Sequence, residues 1–317
     1  MAYDLNSYLV VGISSSALFD LTNENKIFET KGLEEYLKYQ VKHEKDILNP
    51  GPGFKLVKNL LRINELIPGK RLVEVIIMSR NSASSSMRFF NSIEHYGLDI
   101  SRAALTSGMP IKPYAEAFNV SLFLSTNVED VQDAINSNIA AGIIYNYKYQ
   151  EHNDSNQIRI AFDGDAVLFS DESERIYQKD GLDAFAKHEK MNALKPLPKG
   201  PFAKFLKAVS DIQKEFSVDD MPIRTALVTA RSSPAHERVI RTLQVWGVKI
   251  DEVFFLGGVR KAEILKAFGA DIFFDDQDAH LKYTQDIVPS ARVPYKNSTR
   301  QLSIFDEIEN DISDVKE

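Results

Sequence analysis

The chain of 317 residues contains no cysteine. That excludes disulfides, thiolate nucleophiles and thiolate metal sites, and leaves oxygen and nitrogen ligands for any bound ion. An excess of positive charge is also missing: 38 Lys and Arg against 45 Asp and Glu give a net charge of −7. A nucleic-acid polymer or an anionic membrane surface is therefore not an expected partner of the whole molecule. A small anion is still allowed, because a bound cation reverses the field locally. No apolar run approaches the roughly 20 residues of a membrane span. The opening MAYDLNSYLVVGISSS has neither a basic segment nor a long apolar segment of the kind a secretory signal needs. A soluble, cytoplasmic protein with no membrane partner is the expectation.

What is present points to a site. Residues 158 to 172 read IRIAFDGDAVLFSDE, an apolar run that ends in two carboxylates, Asp163 and Asp165, with one glycine between them. Such a run before a glycine turn is the pattern of a buried parallel strand, and ligands of open α/β sheets sit beyond the carboxyl ends of such strands. Two acids placed there repel each other unless a cation lies between them, which suggests a divalent metal held by oxygen. A plain Asp-Gly turn without function is the other reading of the same residues.

Hydrophobic residues make up 44% of the chain, enough for two cores. Landmarks recur at an offset of 149 or 150 residues. VVGISSSALFD at 10 to 20 lies under IAFDGDAVLF at 160 to 169, pairing Ser14 with Asp163 and Ser16 with Asp165. VIIMSRNSASSSMR at 75 to 88 lies under TALVTARSSPAHER at 225 to 238, pairing Ser79 with Thr229 and Arg88 with Arg238. Ser125 and Thr126 fall under Asp275 and Asp276, and each half carries a KHEK, at 42 to 45 and at 187 to 190. Each half reads strand, helical insertion, strand, helix, short strand, helix, strand. The expected fold is thus α/β, with two similar Rossmann-like, doubly wound parallel sheets. The halves are placed at 1–150 and 151–300, divided near the polar stretch at 147 to 157, with an acidic solvated tail at 301–317. Wherever the second half has aspartate the first has serine or threonine, so the charges a metal needs occur once.

Four stations of the second half fall at expected strand ends. Asp163-Gly-Asp165 is the first. The second is LVTARSS, where Thr229 and Arg231 precede Ser232 and Ser233; hydroxyls and free N–H groups at a helix start can seat a phosphate, or one serine can simply cap a helix beginning at Pro234. Gly257-Gly258-Val259-Arg260-Lys261 is the third, a glycine turn that delivers a lysine where the helix dipole disfavours a cation. That lysine is either solvated surface or held by an anion. The fourth, Ile272-Phe273-Phe274-Asp275-Asp276-Gln277, ends a second apolar strand in paired acids, which are costly without a cation.

In this order the stations resemble the haloacid dehalogenase superfamily of phosphotransferases. Within it FDGDAVLFSDE, LVTARSS and IFFDDQ, with IIMSRNS, NSIEHYGLDISRAA and AFNVSLFLS in the first half, resemble the cytosolic 5′-nucleotidase I family from about residue 8 to about residue 295. The resemblance implies HAD-like folds in both halves and a small helical cap at 170–222 in the catalytic one. It implies that Asp163 attacks phosphorus to form an aspartyl-phosphate, that Asp165 protonates the leaving oxygen and later activates water, and that Thr229 and Lys261 stabilise the transferring group. Mg2+ would be held by Asp163, the Asp165 carbonyl and the pair Asp275 and Asp276, with Asp276 as the direct ligand. Arg231, Ser232, Phe169 and Asp171 are the expected substrate contacts, with pairing to a carboxylate of the protein as the other reading of Arg231; Lys187, His188 and Phe202 are the further members of the insertion, with a solvated helix face as the other reading of Lys187 and His188. The implied reaction is hydrolysis of a nucleoside 5′-monophosphate. A sugar phosphate or other small phosphomonoester as substrate, a nucleotide-sugar transferase and a non-catalytic nucleotide-binding module are the alternatives. An unused sheet edge is compatible with a homo-oligomer, and the first half is expected either to be a scaffold or to hold a ligand through SRNSASSS without catalysing anything.

Overall fold

The computed structural model describes residues 4–145 and 157–296, so most of the proposed boundary at 147 to 157 and all of the acidic tail lie outside the described residues. The strands are β1 (Leu9–Ile13), β2 (Val73–Ser79), β3 (Arg102–Leu105), β4 (Leu122–Ser125), β5 (Ala140–Ile144), β6 (Ile158–Phe162), β7 (Ile223–Thr229), β8 (Glu252–Phe255), β9 (Ile272–Asp275) and β10 (Ser290–Arg292). They form one sheet in the order β3-β2-β1-β4-β5-β10-β9-β6-β7-β8. LVVGI in β1 and VEVIIMS in β2 are buried at every position, as strands covered on both faces must be.

The expectation of two separate sheets does not hold. β5 and β10 pair antiparallel, with Ile144 opposite Ala291 and Ile143 opposite Arg292, while the other strand pairings are parallel. Two free sheet edges are unsatisfied hydrogen-bonding rows, and joining them removes both. The joint also reverses direction. The carboxyl ends of β1, β2 and β4 open at one end of the sheet, and those of β6, β7 and β9 at the other. The first half's hydroxyls and the second half's acids therefore do not share a cleft.

Within each set of five strands the order follows one pattern, and matching strands lie 149 or 150 residues apart. A cross-strand ion pair recurs with its charges exchanged: Arg102 with Glu74 at 2.5 Å between β3 and β2, and Arg224 with Glu252 at 2.6 Å between β7 and β8. The helical insertions Thr22–Lys42 and Glu172–Met191 each break at a glycine with positive φ, Gly32 at +81° and Gly181 at +80°. That register sets Gln40 against Glu189. It separates the two KHEK stretches, because residues 42 to 45 begin at the last residue of one helix while 187 to 190 lie inside the other.

Helix Ala203–Gln213, counted in the expected cap, packs on the sheet instead, because its apolar stripe of Phe205, Leu206 and Val209 belongs to the main core. Of the two helices in the expected cap, Glu172–Met191 is the one that stands out from that core, burying Ser173 and Glu189. One core runs across the joint. Phe274 is fully buried, 5.8 Å from Phe162 and 4.6 Å from Phe202 between ring centres. Gly142 makes room for it, since a Cβ there would lie 3.3 Å from the Phe274 ring and 3.0 Å from the Ala291 Cβ. Lys55–Asp271 at 2.9 Å and Lys70–Glu215 at 2.5 Å tie the halves from the surface. Phe274→Ala is expected to destabilise the chain by about 3–5 kcal/mol, read as a lower urea midpoint. A midpoint equal to that of the unsubstituted chain would mean that the joint does not rest on this ring.

Candidate active site

Strand β6 ends at Phe162, so Asp163 is the first residue beyond it, anchored by its N–H donating to the Phe274 carbonyl at 2.8 Å. The chain then turns tightly through Gly164–Leu168. A Cβ on Gly164 would stand 3.2 Å from the Thr229 Oγ1, and Phe169 closes the turn from inside, fully buried against Trp246. β9 ends in Asp275 and is followed by Asp276. Carboxylate oxygens of Asp163, Asp275 and Asp276 lie within 4.8 Å of one another, and all three residues are buried.

Lys261 enters this cluster. Gly257 and Gly258, at φ +55° and +91°, turn the chain so that the helix Lys261–Phe268 starts with its first side chain inward. Its ammonium lies 2.9 Å from Asp163 and 2.7 Å from Asp275, so the anion expected to hold it is on the protein. Burial disfavours the charged lysine, but the two carboxylates outweigh burial and raise its pKa. Asp275 is the saturated member: it accepts from Lys261, from the Gln277 N–H at 2.8 Å and from His280 Nδ1 at 3.1 Å. Although burial works against ionisation, these donors hold it below the usual carboxylate range.

Asp276 has the opposite balance. Tyr295 donates to its Oδ2, while its Oδ1 is buried without a partner. Burial, then the charges of Asp163 and Asp275, push its carboxyl up to about 8. Asp163 is pushed to about 6, chiefly by burial, which Lys261 offsets only in part. Of three buried carboxylates the one ammonium contacts two, and the unpartnered oxygen belongs to the third, Asp276. These oxygens fit a hard divalent cation.

Asp165 points its carboxylate elsewhere. Both of its oxygens accept from Arg231, at 2.8 Å from Nε and 2.6 Å from Nη2. Thr229, at the end of β7, is buried and accepts the Arg231 N–H at 3.2 Å. Arg231 is thus not solvated but pinned between Asp165 and Glu189. Ser232 is exposed, and the helix it was expected to cap begins later, at His236, with Ala235 before it. Asp171 precedes the helix Glu172–Met191 and pairs with Arg175 at 2.9 Å. Phe202 is fully buried beside Phe274, and His188 sits between Glu172 at 3.6 Å and Glu189 at 3.2 Å. The structure therefore gathers Asp163, Asp275, Asp276 and Lys261 directly, and Asp165, Thr229 and Arg231 beside them. It does not bring Ser232, Asp171 or the buried ring of Phe169 into hydrogen-bond or ionic contact with the acids.

Glu189, His280 and Tyr295 were not singled out from the sequence. His280 lies five residues after Asp275, within reach of one helical turn, and could have been read. Tyr295 and Glu189 reach the site only through the fold.

A family model described as 5′-nucleotidase matches residues 1–300. The chain belongs to the 5′-nucleotidase family. It is also 40% identical over 287 residues to the human protein named Cytosolic 5′-nucleotidase 1B, covering 87% of this chain and 47% of that one. The chain thus spans about half the length of the curated relative it matches. No solved structure matches it. The family bears out the resemblance carried by FDGDAVLFSDE, LVTARSS and IFFDDQ; in this 5′-nucleotidase family member the first and third supply the acids of the cluster, and the second supplies Thr229 and Arg231 beside it.

A pH dependence follows from the two raised carboxyls. Each holds its proton in the folded chain at pH values where the unfolded chain, with an ordinary carboxyl, has already released it. Without a cation, their contribution to stability therefore declines as pH rises from about 4 through about 6 for Asp163 and about 8 for Asp276. A divalent cation needs the charged forms, so its stabilisation runs the other way. Excess Mg2+ is expected to stabilise the chain little at pH 5 and progressively more up to pH 8.5, by up to about 2.7 kcal/mol at a hundredfold excess over Kd, read as a rise in melting temperature. Asp276→Asn is expected to lose this increment. Equal shifts at pH 5 and pH 8.5 would contradict the assignment.

Proposed function

We propose that the chain is a Mg2+-dependent 5′-nucleotidase that releases phosphate from nucleoside 5′-monophosphates through an aspartyl-phosphate. The observation that carries this is the buried group Asp163, Asp275 and Asp276 around Lys261, with one carboxylate oxygen left unpartnered, in a member of the 5′-nucleotidase family. A Mg2+ ion held by Asp163, Asp276 and the Asp165 carbonyl, with Asp275 in support, would neutralise phosphate charge and orient phosphorus.

Asp163 would attack phosphorus with one carboxylate oxygen, forming an Asp–O–P bond as the bond from phosphorus to O5′ breaks. Asp165, keeping one oxygen on Arg231 and turning the other to O5′, would give the leaving nucleoside its proton. It would then take a proton from the water that attacks the phosphoenzyme, which restores Asp163 and frees phosphate. Lys261 would hold the nucleophile's orientation and offset charge on the transferring oxygens, and Thr229 would donate its hydroxyl to one of them. Arg231 acts in this reading as the seat of Asp165, Phe169 as a packing residue beneath the turn, and Ser232 and Asp171 as the remaining candidates for substrate contact.

We further read the chain as a duplicated unit, 1–150 and 151–300, of which the second carries the chemistry and the helix Glu172–Met191 acts as its cap. The equal offsets of the strands and the exchanged ion pairs support that reading. The word cytosolic in the relative's name supports a cytoplasmic location. A sugar phosphate remains the second reading of the substrate, because the acids specify the transfer and not the leaving group.

A panel of phosphomonoesters with colorimetric phosphate detection tests the substrate, and equal turnover of sugar phosphates and nucleotides would remove the nucleotide reading. Asp163→Asn is expected to lower phosphate release on the order of 10³-fold or more while the chain still melts cooperatively. An unchanged rate would take Asp163 out of the chemistry.

A further inference from the structure

Glu189 is fully buried although it is a carboxylate on the helix that stands out from the core. Its oxygens accept from four donors: Arg231 Nη1 at 2.5 Å, Arg238 Nη1 at 2.9 Å, the Ser173 hydroxyl at 2.8 Å and, at 3.2 Å, His188 Nδ1. Arg231 uses its remaining edge for both oxygens of Asp165. The Phe185 ring covers the guanidinium face at 5.4 Å. A planar fork held on two edges and one face has one orientation, so Asp165 is held by a guanidinium that Glu189 has already fixed.

The other half of the chain is an internal comparison. At the offset that matches the two broken helices and their neighbouring strands, Gln40 stands for Glu189, Asn81 for Arg231 and Ser16 for Asp165. All three charges disappear together in the half that has no acidic cluster. The second arginine around Glu189 persists: Arg238 corresponds to Arg88, which in the first half pairs instead with Glu24 of the helix Thr22–Lys42. The chain Glu189, Arg231, Asp165 accompanies the chemistry, whereas the Arg88 and Arg238 anchors accompany the fold.

We infer that Glu189 is a positioning residue which, by fixing Arg231, fixes the point from which Asp165, keeping one oxygen on the guanidinium, turns the other to the leaving oxygen for proton transfer. This rests on the phosphotransfer reading given above. It assigns to the inserted helix a role in the reaction beyond covering it.

The test uses the dependence on the leaving group. An alkoxide such as O5′ of a nucleoside needs a proton as it departs, whereas p-nitrophenolate departs unprotonated. Because kcat/KM reports the steps up to the first irreversible one, it isolates departure of the leaving group from hydrolysis of the phosphoenzyme. Glu189→Gln is expected to lower kcat/KM for a nucleoside monophosphate and for a simple alkyl phosphate by ~10-fold to ~100-fold, and for p-nitrophenyl phosphate by less than about 3-fold. Equal losses on all three substrates would mean that Glu189 serves the fold alone, and no loss on any would remove it altogether; either result overturns the inference. Gln40 shows that the fold accommodates glutamine at the matching place. Should the uncompensated arginine prevent folding, Glu189→Gln combined with Arg238→Gln restores the charge balance and is expected to show the same split. An unsubstituted chain that cleaves the alkyl and aryl phosphates but no nucleotide would instead fail the substrate reading and leave this inference to the alkyl-to-aryl comparison.

Discussion

The contact on which the site depends is the Lys261 ammonium, held 2.9 Å from Asp163 and 2.7 Å from Asp275. A buried carboxylate is tolerated only with a partner, and here three carboxylates converge on one cation. The ammonium satisfies two of them. Asp276 is left with a tyrosine hydroxyl and an unpartnered oxygen, and its raised pKa is the electrostatic record of that shortfall. The same lack of positive charge that makes the cluster expensive as a protein interior makes it receptive to a divalent ion. Stability and affinity for the ion thus have one origin.

The two ends of the sheet solve one structural problem with different chemistry. At the carboxyl ends of β1 and β4, Ser14, Ser16 and Thr126 form a chain of hydroxyl contacts at 3.2 Å and 2.5 Å that needs no counter-ion. At the ends of β6 and β9 the corresponding residues are acids and need one. The antiparallel pairing of β5 with β10 turns these two clusters away from each other. The first half therefore contributes to the acidic site by closing the sheet and sharing its core, through Gly142 and Phe274, and not by lining a common cleft.

Much of the site was legible in order along the chain because strand ends mark themselves. An apolar run that stops at an acid, as in IRIAFDGD or DIFFDD, states both the burial and the charge. The ion-pair network around Arg231 was not legible in the same way. Its partner Glu189 lies in a helix of mixed composition whose only local landmark, KHEK, has a false counterpart at 42 to 45. Helix Ala203–Gln213 falls within the expected cap by sequence, because its position between two motifs says nothing of which surface its apolar stripe meets.

Composition, the strand and helix alternation, the offset of 149 or 150 residues and the identity of the acids follow from the amino-acid sequence by itself, since each is a local or periodic property of side chains. Three things were decided by tertiary structure. Edge pairing of β5 with β10 made one sheet of two, because unpaired edges are satisfied only by another strand. Competition among neighbours within about 5 Å decided which acid is saturated and which is open. Burial of Arg231 between Asp165 and Glu189 decided between its two readings, phosphate clamp and partner of a protein carboxylate, in favour of the second, because a guanidinium excluded from water must find carboxylates wherever the fold places them.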